Sequence, residues 1–318
     1  MIDDALITLE AIHAARRRIA PSIDQTPIVA MTPSGLRLKA ESLHPIGAFK
    51  LRGAFNAILS LAADARAAGI VAHSSGNHAQ AVAFAAARLG VRAVVVMPSD
   101  APAIKIDGVR RSGAELVLVG PASAERAERA AALAAERGLT LIPPFDADAI
   151  MAGTGTIGLE ILDQSPDVQT VFAPVSGGGL LAGLATAIKL TRPDVRVIGV
   201  EPELAADAFE SFRAGHIVSL TADQVSRTLA DGLRVQKLGA RTWPHIRAHV
   251  DEIVTVSEDA IKTAMRRIAA EARLIAEPSG AVAIAGALAH SAENTHSVAV
   301  LSGGNVDPAL YAAILTEA

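Results

Sequence analysis

Three consecutive glycines stand between a predicted strand and a predicted helix. Residues 176–180 read Ser-Gly-Gly-Gly-Leu, after the apolar run Val171–Val175 and before the helical stretch Leu180–Leu190. Glycine lets a ligand approach the backbone closely, and the free N–H groups and the dipole of a helix N-terminus favour an anion. We therefore predict a phosphate-binding loop here, the alternative being a plain glycine turn.

A lysine lies among small and apolar neighbours near the start of the chain. Residues 45–54 read Pro-Ile-Gly-Ala-Phe-Lys-Leu-Arg-Gly-Ala, with Lys50 at the sixth position. A lysine at a helix start is ordinarily a solvated charge, but desolvation would lower its pKa toward that of a nucleophilic amine. Such a lysine with a phosphate loop, and without a nucleotide motif, suggests pyridoxal phosphate bound as a Schiff base.

A second glycine pattern is a candidate for nucleotide binding. Gly153, Gly155 and Gly158 fit G-x-G-x-x-G, the fingerprint of a dinucleotide site. An NAD-dependent dehydrogenase would need a strand before this pattern, whereas residues 143–148 read Pro-Pro-Phe-Asp-Ala-Asp, as a loop does. We expect close helix packing at these glycines instead. The sequence has no G-x-x-x-x-G-K-[ST] motif, so a P-loop NTPase is unsupported.

Two polar turns follow predicted strands. Residues 74–80 read Ser-Ser-Gly-Asn-His-Ala-Gln, where Ser and Asn could cap a helix and exposed N–H groups could also bind a carboxylate. His78 has no partner at a metal-ligand spacing, so we expect a hydrogen-bonded structural histidine. The second turn, Ser-Gly-Gly-Asn at residues 302–305, lacks the G-x-S-x-G pattern of a serine nucleophile. It is either a plain turn or one that faces a cleft.

Two carboxylates follow another predicted strand. Glu201 comes directly after the run Arg196–Val200, and Asp207 lies a short distance further on. Surface carboxylates are usually only solvated, but two carboxylates and a backbone carbonyl would suit Mg²⁺ or Ca²⁺. The spacing alone leaves both interpretations open.

An α/β fold must position these residues. Apolar runs that predict strands alternate with Ala-rich helical stretches; the runs are Ile70–Ala72, Arg92–Met97, Glu115–Val119, Leu139–Ile142, Thr170–Val175, Arg196–Val200, Glu252–Val256 and Ser297–Leu301. They are apolar without alternation, as in parallel sheets covered on both faces. We predict two parallel-sheet, three-layer domains with the ligand in the cleft between them. Residues 1–60 plus 146–318 would form a large domain, and residues 61–145 a small, mobile domain inserted in it.

Composition excludes several classes of protein. The 318 residues carry a net charge of −4, one Trp, one Tyr and seven Phe, which gives neither the basic surface nor the stacking aromatics of a nucleic-acid-binding protein. The absence of cysteine excludes disulfides, zinc–thiolate sites and thiol nucleophiles. No apolar run is long enough to span a membrane, and Asp3, Asp4 and Glu10 do not suit a signal peptide. We expect a cytoplasmic protein that acts on a small molecule.

Together and in this order, the motifs resemble the serine/threonine dehydratase and serine racemase group of fold type II pyridoxal-phosphate enzymes, which are similar in fold to the tryptophan synthase β-subunit. The matching stretches are Gly47–Gly53, Ser74–Gln80, Gly153–Ile157, Ser176–Gly183, Glu201–Asp207, Ala230–Gly232, Glu277–Pro278 and Ser302–Asp307. Each stretch alone is weak evidence, whereas their order over nearly the whole chain is specific. The resemblance implies a cofactor held between the two domains.

The resemblance also implies roles for individual residues. Lys50 would form the Schiff base and then act as base at the substrate Cα. The cofactor would be bound by Phe49, Asn77, Ser176, Gly177, Gly178, Gly179, Leu180 and Ser302, the last facing the pyridine nitrogen. The substrate carboxylate would lie on Ser74, Ser75, Asn77 and His78. A divalent cation, Mg²⁺ or Ca²⁺, would be held by Glu201, the carbonyl of Ala205, and Asp207.

The reaction that the resemblance implies is a β-elimination. L-Threonine or L-serine would lose its Cα proton and its β-hydroxyl, and would yield a 2-oxo acid and ammonia. Two alternatives stay open: a serine racemase with Ser75 as second base opposite Lys50, and a 3-hydroxyaspartate dehydratase with a cation such as Arg234 for the second carboxylate. A non-catalytic sensor of the same fold would not need Lys50, Asn77 and Ser302, which are all present.

The chain departs from the group at three small residues. The family often has serine at the position of Ala48 and glycine at the positions of Ala79 and Ser176, so the pocket shape is expected to differ. The sequence ends 13 residues after Asn305, and on that ground we expect no C-terminal regulatory domain. The resemblance also implies a homodimer or a dimer of dimers.

Overall fold

The computed structural model describes residues 6–101, 103–121, 123–290 and 296–317. Its strands are β1 (Ile28–Ala30), β2 (Arg37–Ala40), β3 (Ile70–His73), β4 (Ala93–Pro98), β5 (Glu115–Val119), β6 (Thr140–Leu141), β7 (Thr170–Pro174), β8 (Arg196–Pro202), β9 (Glu252–Val256) and β10 (Ser297–Leu301). Its helices are α1 (Leu9–Ile19), α2 (Lys50–Leu59), α3 (Ala63–Ala68), α4 (Asn77–Leu89), α5 (Ala103–Arg111), α6 (Ser123–Arg137), α7 (Asp148–Gln164), α8 (Gly179–Thr191), α9 (Asp207–Ala214), α10 (Ala222–Val225), α11 (Thr242–His249), α12 (Glu258–Arg267), α13 (Pro278–His290) and α14 (Pro308–Thr316).

In the described part of the chain, the strands form two sheets. One has six strands in the order β1-β2-β10-β7-β8-β9, and the other has four in the order β5-β4-β3-β6. The pair β1–β2 is antiparallel, and the other neighbouring strands run parallel. This is the α/β architecture with parallel sheets that the alternation of strand and helix patterns predicted, since parallel strands require crossover connections.

Helices cover both faces of the six-stranded sheet. In β10, Val298 and Val300 pack in one core cluster with residues of α7 and α8, whereas Ala299 and Leu301 pack in another with residues of α12 and α13. Alternate side chains of a strand point to opposite faces, so the sheet is the middle of three layers. This is why the strand runs are apolar throughout rather than alternating.

Where a strand was predicted, the observed strand differs from the prediction only at its ends. β5, β9 and β10 have the predicted bounds, whereas β6 is two residues long and pairs only through Thr140 and Leu141 with β3. Residues 1–60 carried no predicted strand, yet β1 and β2 lie beside β10 in the six-stranded sheet. β1 is half-exposed and three residues long, so its sequence has no strong strand signal.

The turns that follow the parallel strands lie at shared sheet edges. β7, β8 and β10 run parallel, so the segments after Pro174, Pro202 and Leu301 emerge at one edge of the six-stranded sheet. These segments contain the glycine loop, Asp207 and the Ser-Gly-Gly-Asn turn, and Glu201 lies beside them as the last residue but one of β8. Among the described residues, none of the helices is both long and apolar enough to cross a membrane.

Candidate active site

Lys50 is the first residue of α2, and its amine contacts the residue before Phe145, against which the glycine loop packs. Its Nζ donates a hydrogen bond to the carbonyl of Pro144 at 2.7 Å and lies 5.1 Å from the ring centre of Phe49. Burial lowers the pKa of the Lys50 amine to about 8, because the charged form loses its hydration. The predicted nucleophilic amine therefore has a physical basis in the structure.

Backbone hydrogen bonds tie the segment before Lys50 to the turn after β10. Phe49 N–H donates to the carbonyl of Ser302 at 3.0 Å, and Gly304 N–H donates to the carbonyl of Gly47 at 2.9 Å. Gly47 has a φ of 71°, and a Cβ there would lie 2.5 Å from Asn305 Oδ1, so this position requires glycine. Residues 302–305 are thus a turn that faces the site, not a plain surface turn.

Asn77 connects the two sheets at the same place. Its Oδ1 accepts from Asn305 Nδ2 at 2.8 Å, and its Nδ2 donates to Glu277 Oε1 at 2.5 Å. The pKa of Glu277 is raised to about 7, mainly by burial; the charge of Lys105 opposes this effect and that of Asp231 adds to it. No role had been predicted for Glu277 or Asn305, although both lie in stretches that carry the family resemblance.

The glycine loop runs from the end of β7 into α8. Gly178 is the N-cap of α8, and in the described structure no side chain accepts from the first N–H groups of this helix. A Cβ on Gly177 would lie 2.6 Å from the ring of Phe145, and one on Gly179 would lie 2.8 Å from Phe145 Cβ. The loop therefore has the shape and the donors of an anion cradle.

Ser176 adopts a conformation that favours glycine, the residue that the resemblance leads one to expect at this position. Its φ is 63°, in the left-handed region that side chains disfavour. Its hydroxyl donates to the carbonyl of Gly232 at 3.3 Å, which helps to hold the residue there. Ser302 is buried, and its hydroxyl lies 3.5 Å from the carbonyl of Ser279. A phosphate cradle, a depressed-pKa amine and a buried neutral hydroxyl together fit pyridoxal phosphate.

The turn after β3 has free donors and one exposed serine. The hydroxyl of Ser74 accepts from Gly76 N–H at 3.2 Å, and Ser75 is exposed. The N-cap of α4 is Gly76, with no side-chain cap among the described residues, rather than the predicted Ser or Asn. The first N–H groups of α4 are therefore available to a carboxylate.

His78 is a structural histidine, as predicted. Its Nε2 lies 3.0 Å from the carbonyl of Ile142 and its side chain is buried. The pKa of His78 is lowered to about 3, mainly by burial and in part by the charge of nearby Lys50. The imidazole is therefore neutral, and only the backbone of His78 is free to face the substrate.

Glu201 and Asp207 lie buried at the edge formed by β8 and α9. Burial raises the pKa of Glu201 well above its usual value, and the Asp207 charge adds to this effect; burial also raises the pKa of Asp207 to about 7. Glu201 Oε2 accepts from Phe209 N–H at 2.8 Å, whereas neither carboxylate oxygen of Asp207 has a partner in the described structure. Ala205 lies between them in the buried end of a 3₁₀ helix, Glu203–Ala205.

These two carboxylates do not by themselves form a complete metal centre. Among the described residues, no group of three or more His, Cys, Asp or Glu is arranged to hold a metal ion. A cation at Glu201 and Asp207 would therefore need carbonyl or water oxygens as further ligands, as Mg²⁺ and Ca²⁺ commonly have. The two unpartnered oxygens of Asp207 fit such a ligand role.

The remaining sequence candidates have other roles in the structure. Gly153, Gly155 and Gly158 all lie within α7 rather than in a turn between a strand and a helix, so they are not a dinucleotide loop. Arg234 uses its guanidinium to hold the carbonyl of Thr228, at 2.6 and 3.0 Å. It is therefore already engaged, and the structure gives no support for Arg234 as the cation for a second substrate carboxylate.

Comparison with known proteins agrees with this geometry. Residues 19–303 match the family model described as pyridoxal-phosphate dependent enzyme. Serine racemase of Arabidopsis thaliana is 41% identical over 310 residues, which are 93% of this chain and 92% of the relative. L-threo-3-hydroxyaspartate ammonia-lyase of Saccharomyces cerevisiae is 38% identical over 310 residues, 95% of this chain and 94% of the relative. The crystal structure of a threonine deaminase from T.th. has a TM-score of 0.89 at 46% identity, and the match covers 95% of this chain and 99% of the other.

Proposed function

The chain belongs to the pyridoxal-phosphate-dependent enzymes, as its motifs predicted, and we propose that it is an ammonia-lyase that converts L-threonine, L-serine or both to a 2-oxo acid and ammonia. The observation that carries the proposal is the placement of Lys50. Its amine bonds to the carbonyl of Pro144, next to Phe145, which packs on the glycine loop. Its charge also lowers the pKa of His78, in the first turn of α4. The Lys50 amine is therefore near both the glycine loop and the turn proposed to bind the substrate.

The chain's own groups would divide the reaction between them. When bound, the cofactor supplies an electron sink for the electron pair that stays on the substrate Cα after proton loss. Lys50 takes the Cα proton, because an amine whose pKa is about 8 is partly neutral near neutral pH. Ser302 would offer a neutral hydroxyl to the ring nitrogen of the cofactor, and a neutral partner there would suit rapid loss of the β-hydroxyl.

Binding roles follow from the free donors at each turn. We assign the phosphate to the N–H groups of residues 177–180 and one face of the ring to Phe49. Asn77 would hold the phenolic oxygen of the cofactor with an amide that Asn305 and Glu277 orient. The substrate carboxylate lies on the N–H groups and hydroxyls of residues 74–77, at the uncapped N-terminus of α4.

We also propose that Glu201, the carbonyl of Ala205, and Asp207 bind a divalent cation. The charge of Asp207 raises the pKa of Glu201, and Asp207 is itself a buried carboxylate without a hydrogen-bond partner in the described structure, an arrangement that is unfavourable unless a cation lies beside the two. The bare oxygens of Asp207 are the support for this site. Mg²⁺ and Ca²⁺ suit an all-oxygen ligand set.

Serine racemase is the second candidate, and Ser75 favours it. Its hydroxyl is exposed at the turn that receives the substrate carboxylate, where a second base would have to stand. The similarity to the serine racemase of Arabidopsis thaliana supports the same candidate. The 3-hydroxyaspartate alternative has the yeast relative in its favour, but its expected cation, Arg234, is engaged elsewhere.

The decisive experiment is release of 2-oxo acid from L-serine, D-serine, L-threonine and the 3-hydroxyaspartates, with pyridoxal phosphate and Mg²⁺ present. We expect release by the wild type and by Lys262→Ala, which removes a surface lysine paired with Glu317, and none by Lys50→Ala. The substrate that releases 2-oxo acid fastest identifies the specific lyase activity. Interconversion of L- and D-serine without oxo acid would make the protein a racemase, and inactivity toward every substrate would overturn the proposal.

We propose further that the enzyme is a homodimer in which residues 61–145 form a separate small domain. The support for the domain division is the separate four-stranded sheet, and the support for the dimer is the family resemblance. Sedimentation of the holoenzyme tests the dimer, and a single species of monomer mass would contradict it.

A further inference from the structure

Lys105 and Asp231 form an ion pair that joins parts of the molecule far apart in the chain. Lys105 lies on α5, which packs on the four-stranded sheet, and Asp231 begins the 3₁₀ helix Asp231–Leu233, which packs on α13 beside the six-stranded sheet. Lys105 Nζ donates to Asp231 Oδ2. The Lys105 side chain is 6% exposed and that of Asp231 is 37% exposed, so the cation is desolvated while the anion reaches water.

On one side, the pair touches the turn that receives the substrate carboxylate. A Cβ placed on Gly76 would lie 3.3 Å from Lys105 Nζ, so the ammonium stands directly against the backbone between Ser75 and Asn77. This places a buried positive charge beside the uncapped N-terminus of α4. Both features attract a carboxylate, and they act at the same point.

On the other side, the pair touches residues that hold the cofactor. Ser279 Oγ lies 3.4 Å from Asp231 Oδ1 and accepts from Gly232 N–H at 2.8 Å. The carbonyl of Ser279 in turn lies 3.5 Å from the hydroxyl of Ser302, and the carbonyl of Gly232 accepts from Ser176. The ion pair therefore spans from the substrate turn to both ends of the cofactor site.

We propose that Lys105 and Asp231 are positioning residues for the reaction: they hold the substrate turn over the cofactor, and Lys105 adds its charge to the binding of the substrate α-carboxylate. This inference rests on the proposed function, since it needs that carboxylate at residues 74–77. The Lys105 ammonium is buried, so separating it from Asp231 would leave an unpaired buried charge, which is unfavourable. This pair therefore resists separation more than a surface pair does. The pair thus links closure of the cleft between the two sheets to binding of the negatively charged substrate carboxylate.

Three variants separate the two parts of this role. Lys105→Met removes the pair and the charge, Asp231→Asn removes the pair and leaves the charge, and the double variant removes both partners. We expect Lys105→Met to raise KM for L-threonine or L-serine about tenfold while kcat changes less than about threefold. Asp231→Asn should raise KM less, and the double variant should be no worse than Lys105→Met, because the two residues act as one unit.

Reversing the pair tells positioning apart from simple charge attraction. Lys105→Asp combined with Asp231→Lys restores the link but places a negative charge at Gly76. We expect this variant to recover the closed structure, seen as slow amide exchange at residues 74–77 of the holoenzyme, while KM stays high. Lys262→Met, which breaks an exposed pair, is the control and should change neither quantity.

Amide exchange also keeps this test independent of turnover. Lys105→Met should speed exchange at residues 74–77 and 231–233 in the holoenzyme, while cofactor absorbance and Tm stay close to those of the wild type. Unchanged KM and unchanged exchange would overturn the inference even in a fully active enzyme. An inactive wild type that shows the expected exchange would overturn the proposed function and the carboxylate role, but not the link between the sheets.

Discussion

Lys50 has a neutral hydrogen-bond partner, and this leaves its pKa low enough for the amine to react. Its amine bonds to a neutral carbonyl, that of Pro144, rather than to a carboxylate, so burial is the effect that sets its pKa. The pKa falls from 10.5 to about 8. Between these values the unfolded chain binds a proton that the native protein lacks, so this residue makes the cofactor-free protein more stable as the pH rises through that window.

This difference predicts how Lys50 reacts with an amine reagent. In the cofactor-free protein we expect trinitrobenzenesulfonate to label Lys50 with a midpoint near pH 8, because only the neutral amine attacks. Peptide mass spectrometry over a pH series measures the midpoint, and Lys50→Arg identifies the labelled peptide. A midpoint near 10.5 would show that burial does not shift this amine.

Asp207 predicts opposite effects of one substitution with and without a cation. Without metal, Asp207→Asn should raise the free energy of unfolding by about 1–3 kcal/mol, because it removes a buried charge that has no partner in the described structure. With Mg²⁺, the wild type should gain stability and the variant should not. Urea unfolding in EDTA and in Mg²⁺ measures both effects. Asp223→Asn, at an exposed position, is the control; a variant that still gains stability from Mg²⁺ would exclude this cation site.

Among individual residues, the sequence pointed to those that stand in a recognisable short motif. Lys50, Asn77 and Ser302 each stand in a short polar or glycine-rich motif, and the structure brings them into one network. Lys105 and Asp231 were missed as a pair because they are 126 positions apart, although Asp231 lies in the matching stretch Ala230–Gly232. Only the folded chain shows that a lysine on one helix meets an aspartate beside another sheet.

The glycines of α7 show that one pattern can serve an element rather than a ligand. A Cβ on Gly155 would lie 2.9 Å from the carbonyl of Gly183, and one on Gly158 would lie 2.8 Å from that of Leu184. Helix α7 therefore packs backbone to backbone on α8, which opens with the phosphate loop. The spacing matched a dinucleotide fingerprint because close helix packing also requires small residues at regular intervals.

This packing predicts a large effect for a single methyl group. Gly158→Ala should lower the free energy of unfolding by about 1–3 kcal/mol and weaken cofactor binding, because α8 must move away from α7. Urea unfolding and cofactor titration measure the two effects. Gly120→Ala is the control, since a Cβ there meets only the movable end of Glu125. Equal stability of the two variants would contradict the close packing.

Among the helices and strands, short apolar runs bounded by turn residues predicted most of the parallel strands, since a buried strand is such a run. They did not predict α3 within residues 61–69 or the pairing of β2 with β10. β2 contains Arg37 and Lys39, whose charges hide its strand character. Lys39 is nevertheless buried, because Glu160 and other polar groups from distant segments surround its amine.

At the scale of the whole molecule, a buried network of charges holds α2, α7 and β2 together. Arg52 donates to Glu41 at 2.7 Å and to Glu160 at 2.6 Å, and Lys39 donates to Glu160 at 2.5 Å. Burial alone would raise the pKa of Glu41, but the Arg52 guanidinium and His44 hold it well below 4.5. The stability that Glu41 contributes is therefore present above pH 4.5 and lost as the pH falls below it.

The network predicts that Arg52 matters for stability more than any exposed arginine does. Arg52→Met should lower the free energy of unfolding by about 3–5 kcal/mol, because two carboxylates would lose a buried partner. Denaturant unfolding at neutral pH measures the loss. Arg192→Met, which breaks an exposed pair with Asp194, should cost less than about 1 kcal/mol. Similar losses for the two variants would show that the buried charges are not coupled.

The order of strands in the six-stranded sheet has a consequence for the protein as the ribosome makes it. β1 and β2 emerge early, yet β10, the strand that joins them to the rest of their sheet, is made only after all the other described strands. Strands β3–β6 pair only with one another and can assemble while synthesis continues. Until β10 arrives, one edge of β2 has no partner strand and can pair with a neighbouring chain. Rapid overproduction should therefore favour aggregates seeded by the first forty residues, and slower synthesis at low temperature should reduce them.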